Sequence, residues 1–467
     1  MKSSKELFLN YTFILFNTGL GCGKAQSIKR GGTADILPSY ALFLYLILGG
    51  IMIYTYDKEY NDVFTELVER GYFEAATDEA ELKEKLKNEK LTFYCGFDAT
   101  ADSLTVGHLI QIMVMIRMQN YGHKPIALLG GGTTMIGDPS GRSDMRMVMS
   151  EETINHNAES FYKQFQRFLE FGEDAAIIDN NKNWLLDLNF VDFLRDVGSE
   201  FLVNEMIKKD AYKNRMAAGG LTFFEFSYML LQSYDFLELY RRHNCVLEIG
   251  GSDQWSNIIG GVDLVRKKED AKAYGMTFSL LTTADGIKMG KSQKGAVWLD
   301  EEKTSPYELF QYMRNVDDRD VEKFLLQLTF LPTAECKRLG AAKDASEINH
   351  AKEVLAFEVT KLIHGEEKAK EALDAAKALF VGKGNEDAMP TTEIAKADLP
   401  IGLLQLMTNV GLTKSNGEAR RLVKQGGVSV NDEKISDASF EITEDLFEDN
   451  KIIIKKGKKN FHRVLLV

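Results

Sequence analysis

The chain has few of the residues that build disulfide frameworks or zinc sites. Its four cysteines are spread through 467 residues, at Cys22, Cys95, Cys245 and Cys336. Their spacing fits neither a disulfide framework nor a paired metal motif, so we expect no dedicated metal site. Scarce, unpaired cysteines are typical of a reducing compartment, and we therefore expect a cytoplasmic location.

The chain also has fewer basic than acidic residues. The formal net charge of -12 argues against a protein that coats nucleic acid indiscriminately, but it leaves room for a local basic face. No glycine triplet of the dinucleotide-binding form follows a predicted strand. With 44% hydrophobic and 27% charged residues, the chain has the composition of a large soluble enzyme, long enough for several domains.

The first 56 residues differ from the rest. Residues 39–56 form an almost unbroken apolar run, and about 20 such residues suffice for a membrane anchor. This run is too far from the terminus for an ordinary signal peptide. The alternative is that translation begins later, for instance at Met52, and that the upstream stretch is no part of the working protein. We favour the later start, because everything after Asp57 has the pattern of a complete cytosolic enzyme.

A predicted strand and helix enclose the first candidate site. Residues 91–94 are a predicted strand, residues 96–103 a tight polar loop, and a helix with one apolar stripe begins at Gly107. Such a loop lies at the amino end of the helix, where backbone N–H groups and the helix dipole face an anion. Because the dinucleotide pattern is absent, we expect a mononucleotide site of another kind.

Further polar groups follow on a second loop and a helix. Residues 130–141 form a glycine-rich loop after a predicted strand at 125–129, which lets the backbone approach a ligand closely. A predicted helix at 223–241 carries Tyr228, Gln232 and Asp235 at intervals of four and three, so these side chains share one face. A buried carboxylate at this position needs a polar partner. The alternative is an exposed or capped Asp235.

Two lysines lie three residues apart at 288–292 (KMGKS), immediately before a strand-like stretch at 296–299. Two cations on a loop made flexible by glycine can grip a phosphate chain. Lysine-rich loops are common, however, so this motif gains weight only from the others.

Taken in order, these blocks resemble those of the bacterial-type tyrosyl-tRNA synthetases, which are class I aminoacyl-tRNA synthetases. Residues 105–108 (TVGH) are similar to the HIGH signature of that family, and residues 288–292 to its KMSKS signature. Further matching blocks are residues 94–98, 137–141, 228–235 and 250–255. Four positions depart from the family pattern: Thr105 replaces histidine, Ala99 proline, Glu248 glutamine and Gly290 serine.

The resemblance implies an α/β fold with a Rossmann-like nucleotide-binding parallel sheet and a helical insert. An α-helical anticodon-binding domain and a small C-terminal α+β RNA-binding domain of the S-four type should follow. The predicted bounds are 1–56 for the atypical extension, 57–284 for the catalytic domain, 285–304 for the mobile loop, 305–380 for the helical domain, 381–399 for a linker and 400–467 for the RNA-binding domain.

The resemblance also implies a tyrosine–tRNA ligase that forms tyrosyl-adenylate from L-tyrosine and ATP and then charges tRNA(Tyr). The implied catalytic residues are His108, Lys288, Lys291 and Ser292. The implied tyrosine-binding residues are Tyr94 and Asp235 at the phenol, and Asp138, Tyr228 and Gln232 at the ammonium group. The implied ATP- and adenylate-binding residues are Cys95, Gly96, Asp98, Thr100, Thr105, Gly107, His108, Asp253, Gln254 and Lys291. Mg²⁺ is expected to accompany the ATP phosphates.

Cations cluster near the C-terminus. A predicted helix carries Lys414, Arg420, Arg421 and Lys424 on or beside one face, and four lysines at 455–459 surround a hairpin glycine. A cluster of this kind in an otherwise acidic chain suits the phosphates of RNA, and the pattern resembles the S-four-type domain. A solvated charge run is the alternative.

Two other functions remain open at this stage. One is a tryptophanyl-tRNA synthetase, against which Tyr94 and Asp235 argue as phenol partners. The other is a non-catalytic RNA-binding protein on a synthetase scaffold, which would be expected to lose His108 or the lysine pair. The family also implies a homodimer, formed through a helical insert at about 145–212, and no membrane contact unless the N-terminal extension belongs to the working protein.

Overall fold

The structure is a computed structural model that describes residues 56, 58–138, 149–172, 175–292, 295–381, 390–431, 433–448, 450–457 and 460–467. The predicted N-terminal extension, apart from Tyr56, lies outside these residues. None of the helices described is both long and apolar enough to cross a bilayer.

A six-stranded sheet organises the first part of the chain, in the order β1-β6-β5-β2-β3-β4. Strand β1 is antiparallel to β6, and the other neighbours are parallel. Strand β2 lies between β3 and β5, so the chain order reverses there and leaves a crevice at the carboxyl ends of these strands. The bounds are Phe73–Ala76 (β1), Thr92–Phe97 (β2), Lys124–Leu129 (β3), Ile177–Asn180 (β4), Cys245–Gly251 (β5) and Tyr274–Phe278 (β6).

Helices connect these strands. The predicted helix after Gly107 is preceded by a 3₁₀ turn, Val106–His108, and the predicted helix at 223–241 is divided in two at Ser227. The bounds are Val63–Glu69 (α1), Glu79–Asn88 (α2), Leu109–Asn120 (α3), Thr133–Ile136 (α4), Glu151–Phe165 (α5), Lys182–Leu185 (α6), Phe190–Asp196 (α7), Val203–Met206 (α8), Asp210–Gly219 (α9), Phe223–Phe226 (α10), Tyr228–His243 (α11) and Trp255–Glu269 (α12).

The strand predicted at 296–299 is shorter than expected. Only Gly295–Ala296 (β8) is extended, and it pairs with Lys291–Ser292 (β7) in a small antiparallel ladder. The backbone of Val297 instead bonds to Val106 and Gly290, 3.0 and 2.9 Å away. This segment therefore ties the lysine loop to the TVGH turn.

Residues 306–381 are mostly helical, and their buried apolar side chains belong to the same cluster as those of the sheet. Arg117 of α3 is fully buried here; it pairs with Glu66 and donates to the Thr329 carbonyl at 2.6 Å. The helix that begins beside His108 is thus anchored to the helical segment. The bounds are Pro306–Arg314 (α13), Val321–Leu328 (α14), Thr333–Gly340 (α15), Ala345–His364 (α16) and Glu366–Val381 (α17).

The C-terminal segment has a buried cluster of its own. Its five-stranded sheet has the order β12-β11-β14-β15-β9. Strand β9 lies inside the predicted 381–399 linker and pairs with β15, so this part of the linker prediction is wrong. The bounds are Thr391–Ile394 (β9), Ile401–Gly402 (β10), Leu403–Asn409 (α18), Asn416–Lys424 (α19), Val428–Val430 (β11), Glu433–Lys434 (β12), Glu441–Ile442 (β13), Lys451–Lys456 (β14) and Asn460–Leu466 (β15).

Candidate active site

A cavity of about 870 Å³ opens at the carboxyl ends of β2, β3 and β5. Most residues predicted from the sequence line it, although they come from five separate segments of the chain. They are Cys95, Gly96, Asp98, Thr100, Thr105, Gly107, His108, Asp138, Tyr228, Gln232, Asp235, Asp253, Gln254 and Lys288. Tyr94 is buried and is not part of the cavity lining, and the side chains of Lys291 and Ser292 lie outside the described part of the chain.

Asp235 lies in the wall of the cavity and has two polar partners. The indole Nε1 of Trp184 donates to Oδ1 at 2.8 Å, and the amide of Asn181 donates to Oδ2 at 2.9 Å. Burial raises the pKa of this carboxyl, and the two hydrogen bonds act in the opposite direction. The carboxyl is therefore oriented from both sides and keeps lone pairs for a ligand hydroxyl.

Tyr94, Gln232 and Glu248 form a second polar group beside Asp235. Gln232 Nε2 donates to Glu248 Oε1 at 2.9 Å, and Glu248 lies opposite Tyr94 in the register of β5 and β2. Burial raises the pKa of Glu248 to about 7, and burial together with the neighbouring Glu248 raises the pKa of the Tyr94 phenol. A titratable carboxyl thus lies next to the Gln232 amide and opposite Tyr94.

Two aspartates lie at another part of the cavity wall. Asp98 accepts hydrogen bonds from Thr133 Oγ1 at 2.9 Å and from the Tyr228 hydroxyl at 3.3 Å. Asp138 accepts one from Gln254 Nε2 at 2.7 Å. Carboxylates at this position favour a cationic group of a ligand, and the ammonium of an amino acid is such a group.

His108 has a defined tautomer. Its Nδ1 is 2.9 Å from the backbone nitrogen of Thr105, and a backbone N–H can only donate, so the ring proton is on Nε2. Burial lowers the pKa of His108 to about 4, which keeps the ring neutral near pH 7. His108 therefore offers an N–H donor rather than a positive charge.

The lysine loop touches the TVGH turn through glycines. Gly290 has φ of 104°, and a Cβ built on it would lie 3.0 Å from the backbone nitrogen of Gly107. Lys288 Nζ lies 3.1 Å from Asp253 Oδ2 across the cavity mouth. The structure thus brings together two motifs that are nearly two hundred residues apart in the chain.

The predicted RNA-binding cations lie on α19 or just before it, and all are exposed: Lys414, Arg420, Arg421 and Lys424. On the opposite side of this helix Ala419 and Val423 are buried in the C-terminal core. Lys456 is held by the Leu412 carbonyl at 2.7 Å and by Glu418 at 2.9 Å, so it is less available than predicted. Lys458 and Lys459 lie outside the described residues.

Sequence reasoning missed Asn181 and Trp184. Both follow β4, a strand that was not predicted, and each donates to Asp235. The available signal was the polar run Asp179, Asn180 and Asn181 directly after an apolar pair at 177–178, since the ends of parallel strands meet at one edge.

Comparisons with known proteins identify the family of the chain. Residues 86–381 match the family described as tRNA synthetases class I (W and Y), and residues 382–464 match the tyrosine–tRNA ligase SYY-like C-terminal domain. The tyrosine–tRNA ligase of Lachnoclostridium phytofermentans is 57% identical over 404 residues, which are 86% of this chain and 98% of that protein. The one from Caldanaerobacter subterraneus is 55% identical over 404 residues, 86% of this chain and 99% of that protein.

Solved structures of tyrosyl-tRNA synthetases also match the fold of this chain. The C-terminally truncated mitochondrial tyrosyl-tRNA synthetase of Aspergillus nidulans matches with a TM-score of 0.61 and 30% identity, over 69% of this chain and 95% of that chain. The corresponding protein of Coccidioides posadasii matches with a TM-score of 0.58 and 32% identity, over 67% and 91%. The chain belongs to the bacterial-type tyrosyl-tRNA synthetases, a family of class I aminoacyl-tRNA synthetases.

Proposed function

We propose specific roles for the cavity residues in the tyrosine–tRNA ligase reaction of this family. In that reaction L-tyrosine and ATP give tyrosyl-adenylate and pyrophosphate, and the tyrosyl group then passes to the 3′ end of tRNA(Tyr). The observation that carries the assignment is the doubly hydrogen-bonded Asp235 in the cavity wall, close to Tyr94.

The phenol of tyrosine is recognised by Asp235 and Tyr94. Asp235 accepts the phenol proton while Asn181 and Trp184 hold the carboxyl in place. Phenylalanine would leave this buried carboxyl without its ligand partner. A site built in this way rejects the analogue that lacks the hydroxyl, and the tyrosyl enzyme is itself the standard example of this rule.

The ammonium of tyrosine is held by Asp138, Tyr228 and Gln232, beside Asp98. Gln232 Oε1 is buried and has no hydrogen-bond partner among the described residues, so it is a suitable acceptor for an ammonium proton. The net negative character of this wall favours the amino-acid cation over a neutral analogue.

Activation needs no side-chain nucleophile, because the tyrosine carboxylate attacks the α-phosphate of ATP in line. Negative charge develops on the phosphates, so donors and cations that bind it more tightly in the transition state lower the barrier. His108 donates a hydrogen bond from Nε2 to the phosphates, and Lys288 and Lys291 supply positive charge. Ser292 is assigned to the same step. Mg²⁺ arrives with the ATP phosphates as part of the substrate.

The ATP molecule lies along the strand ends and the glycine turns. Cys95, Gly96, Thr100 and the TVGH residues Thr105 and Gly107 line that part of the cavity. Asp253 and Gln254 stand at the adenylate ribose. In the described arrangement Lys288 is bound to Asp253, so we expect it to exchange this partner for phosphate when ATP enters.

The tRNA contacts the helical segment and the cations of α19. Lys414, Arg420, Arg421 and Lys424 are exposed together and suit phosphates without reading bases. We place the reaction in the cytoplasm, as the scarce and unpaired cysteines suggest.

A homodimer is proposed from the insert that follows β4. Large apolar side chains are exposed there, which is unusual for a monomer's surface: Phe190, Val191, Leu202 and Val203 are each at least 58% exposed. We expect the wild-type protein to sediment as a dimer and L202D as a monomer. Sedimentation of the wild type as a monomer would contradict this.

Charging of tRNA(Tyr) with labelled tyrosine tests the assignment. We expect stable charging by the wild-type protein and its near loss in D235A, because that variant removes the phenol acceptor. Full charging by D235A would show that the phenol is recognised elsewhere.

A further inference from the structure

Glu248 is buried in the middle of the sheet and also lines the cavity. It is 2% exposed and lies between Tyr94 of β2 and Gly275 of β6 in the strand register. Gln232 donates to Oε1 at 2.9 Å, whereas Oε2 has no hydrogen-bond partner among the described residues. A Cβ on Gly261 of α12 would lie 3.1 Å from Oε2, so this helix closes the space on that side.

The Tyr94 hydroxyl is the natural counterpart of Oε2. It too is buried without a hydrogen-bond partner in the described part of the chain, and the nearby Glu248 carboxyl contributes to the raised pKa of its phenol. The two residues are paired across the strands, and each side chain influences the pKa of the other, so these two groups are the candidates for a hydrogen bond with each other. The direction of that bond is the open question, because a neutral carboxyl can donate and an ionised one can only accept.

The surroundings of Glu248 favour its neutral form at moderate pH. Burial raises the pKa of Glu248 to about 7, against the opposing effects of the bond from Gln232 and of the nearby Tyr94 hydroxyl. The titratable groups that interact with it are Tyr94 and Cys95 of β2, Cys245 of β5 and Asp235 of α11. None of these carries a positive charge, so nothing in this set compensates an ionised Glu248.

We propose that Glu248 is a positioning residue that sets the direction of the Tyr94 hydroxyl proton and thereby makes recognition of the substrate phenol depend on pH. The proposal rests on the role assigned above to Tyr94. Neutral Glu248 donates its Oε2 proton to the Tyr94 oxygen, and the proton of Tyr94 is left for the phenol of the substrate. Ionised Glu248, having lost its proton to solvent, accepts the Tyr94 proton instead.

A glutamine at this position, as in the family pattern, would donate to Tyr94 at every pH. Its amide oxygen accepts from Gln232 and its amide nitrogen donates to Tyr94, as neutral Glu248 does, but it does not ionise near pH 7. The substitution in this chain therefore converts a permanent donor into a titratable one. Because the folded-state pKa is raised, the binding-competent neutral form prevails below about pH 7 and is lost above it.

The test is the dissociation constant of tyrosine measured by calorimetry between about pH 6 and about pH 8. Loss of one neutral hydrogen bond corresponds to about a 3- to 10-fold rise for the wild-type protein across this range. We expect the dissociation constant of E248Q to be the same across this range and close to the value that the wild type has at low pH. The dissociation constant of Y94F should be the same across this range and close to the wild-type value at high pH.

A flat wild-type profile, or the same step in E248Q, would overturn the inference. If E248Q fails to fold, the Y94F profile still decides it, because a step in that variant would assign the titration to another group. Absence of tyrosine binding by the wild type at every pH would instead refute the proposed function, so the two failures are distinguishable.

Discussion

Replacing Trp184 with Phe tests the support of Asp235. The variant keeps an aromatic ring in a site that is 4% exposed, but it removes the indole N–H that donates to Asp235 at 2.8 Å together with the five-membered part of the indole. Asn181 remains as the second donor. The perturbation is therefore one hydrogen bond to a buried acidic group plus a cavity beside it, and only the hydrogen-bond part should depend on pH.

The magnitude follows from that bond. A hydrogen bond to a charged group contributes about 1.5 to 3 kcal/mol, so W184F should lower the free energy of unfolding at pH 8 by about 2 kcal/mol. The ring also lies under the Arg242 guanidinium at 5.0 Å, and phenylalanine keeps most of that contact. The loss should shrink as the pH falls, because a protonated Asp235 accepts more weakly, and the pKa of Asp235 should rise when the donor is removed.

Urea unfolding followed by circular dichroism measures this effect without relying on tryptophan fluorescence. W298F is the matched control: Trp298 is half-buried, and its ring faces the Lys303 ammonium at 5.4 Å. We expect the control to lose less than about 1 kcal/mol. Equal losses in both variants, or a loss in W184F that does not change with pH, would refute the reasoning about Asp235.

Three further predictions concern the lysine loop and the C-terminal domain. G290A should slow adenylate formation in rapid-quench experiments while tyrosine binding is unchanged, because its φ of 104° and its 3.0 Å approach to Gly107 leave no room for a side chain. K291A should also cut adenylate formation sharply with nearly intact tyrosine binding; near-normal pre-steady-state activation would contradict its role. A chain ending after Val381 should form tyrosyl-adenylate normally and charge tRNA poorly. Unchanged charging would contradict an RNA-binding role of the C-terminal domain.

Strands β2 and β3 and the motifs beside them were predictable because they depend on local patterns. The apolar stretch at 125–129 forms β3, the glycines at 130–132 form the turn after it, and Tyr228, Gln232 and Asp235 share a helix face. In each case one element carries the whole signal. The family resemblance then placed these elements in one fold.

Contacts between distant segments were not predictable in the same way. The partners of Asp235 follow β4, a four-residue strand, and Glu248 is recognisable from the sequence only as a departure from the family pattern. Its importance depends on the register that places it opposite Tyr94. Likewise β9 was assigned to a linker because its pairing partner β15 lies about seventy residues later.

The most direct test of the central claim is ATP–pyrophosphate exchange measured separately with tyrosine, phenylalanine and tryptophan. The phenol site built on Asp235 predicts fast exchange with tyrosine and none above background with the other two amino acids. Exchange driven by tryptophan, or equally well by phenylalanine, would contradict it.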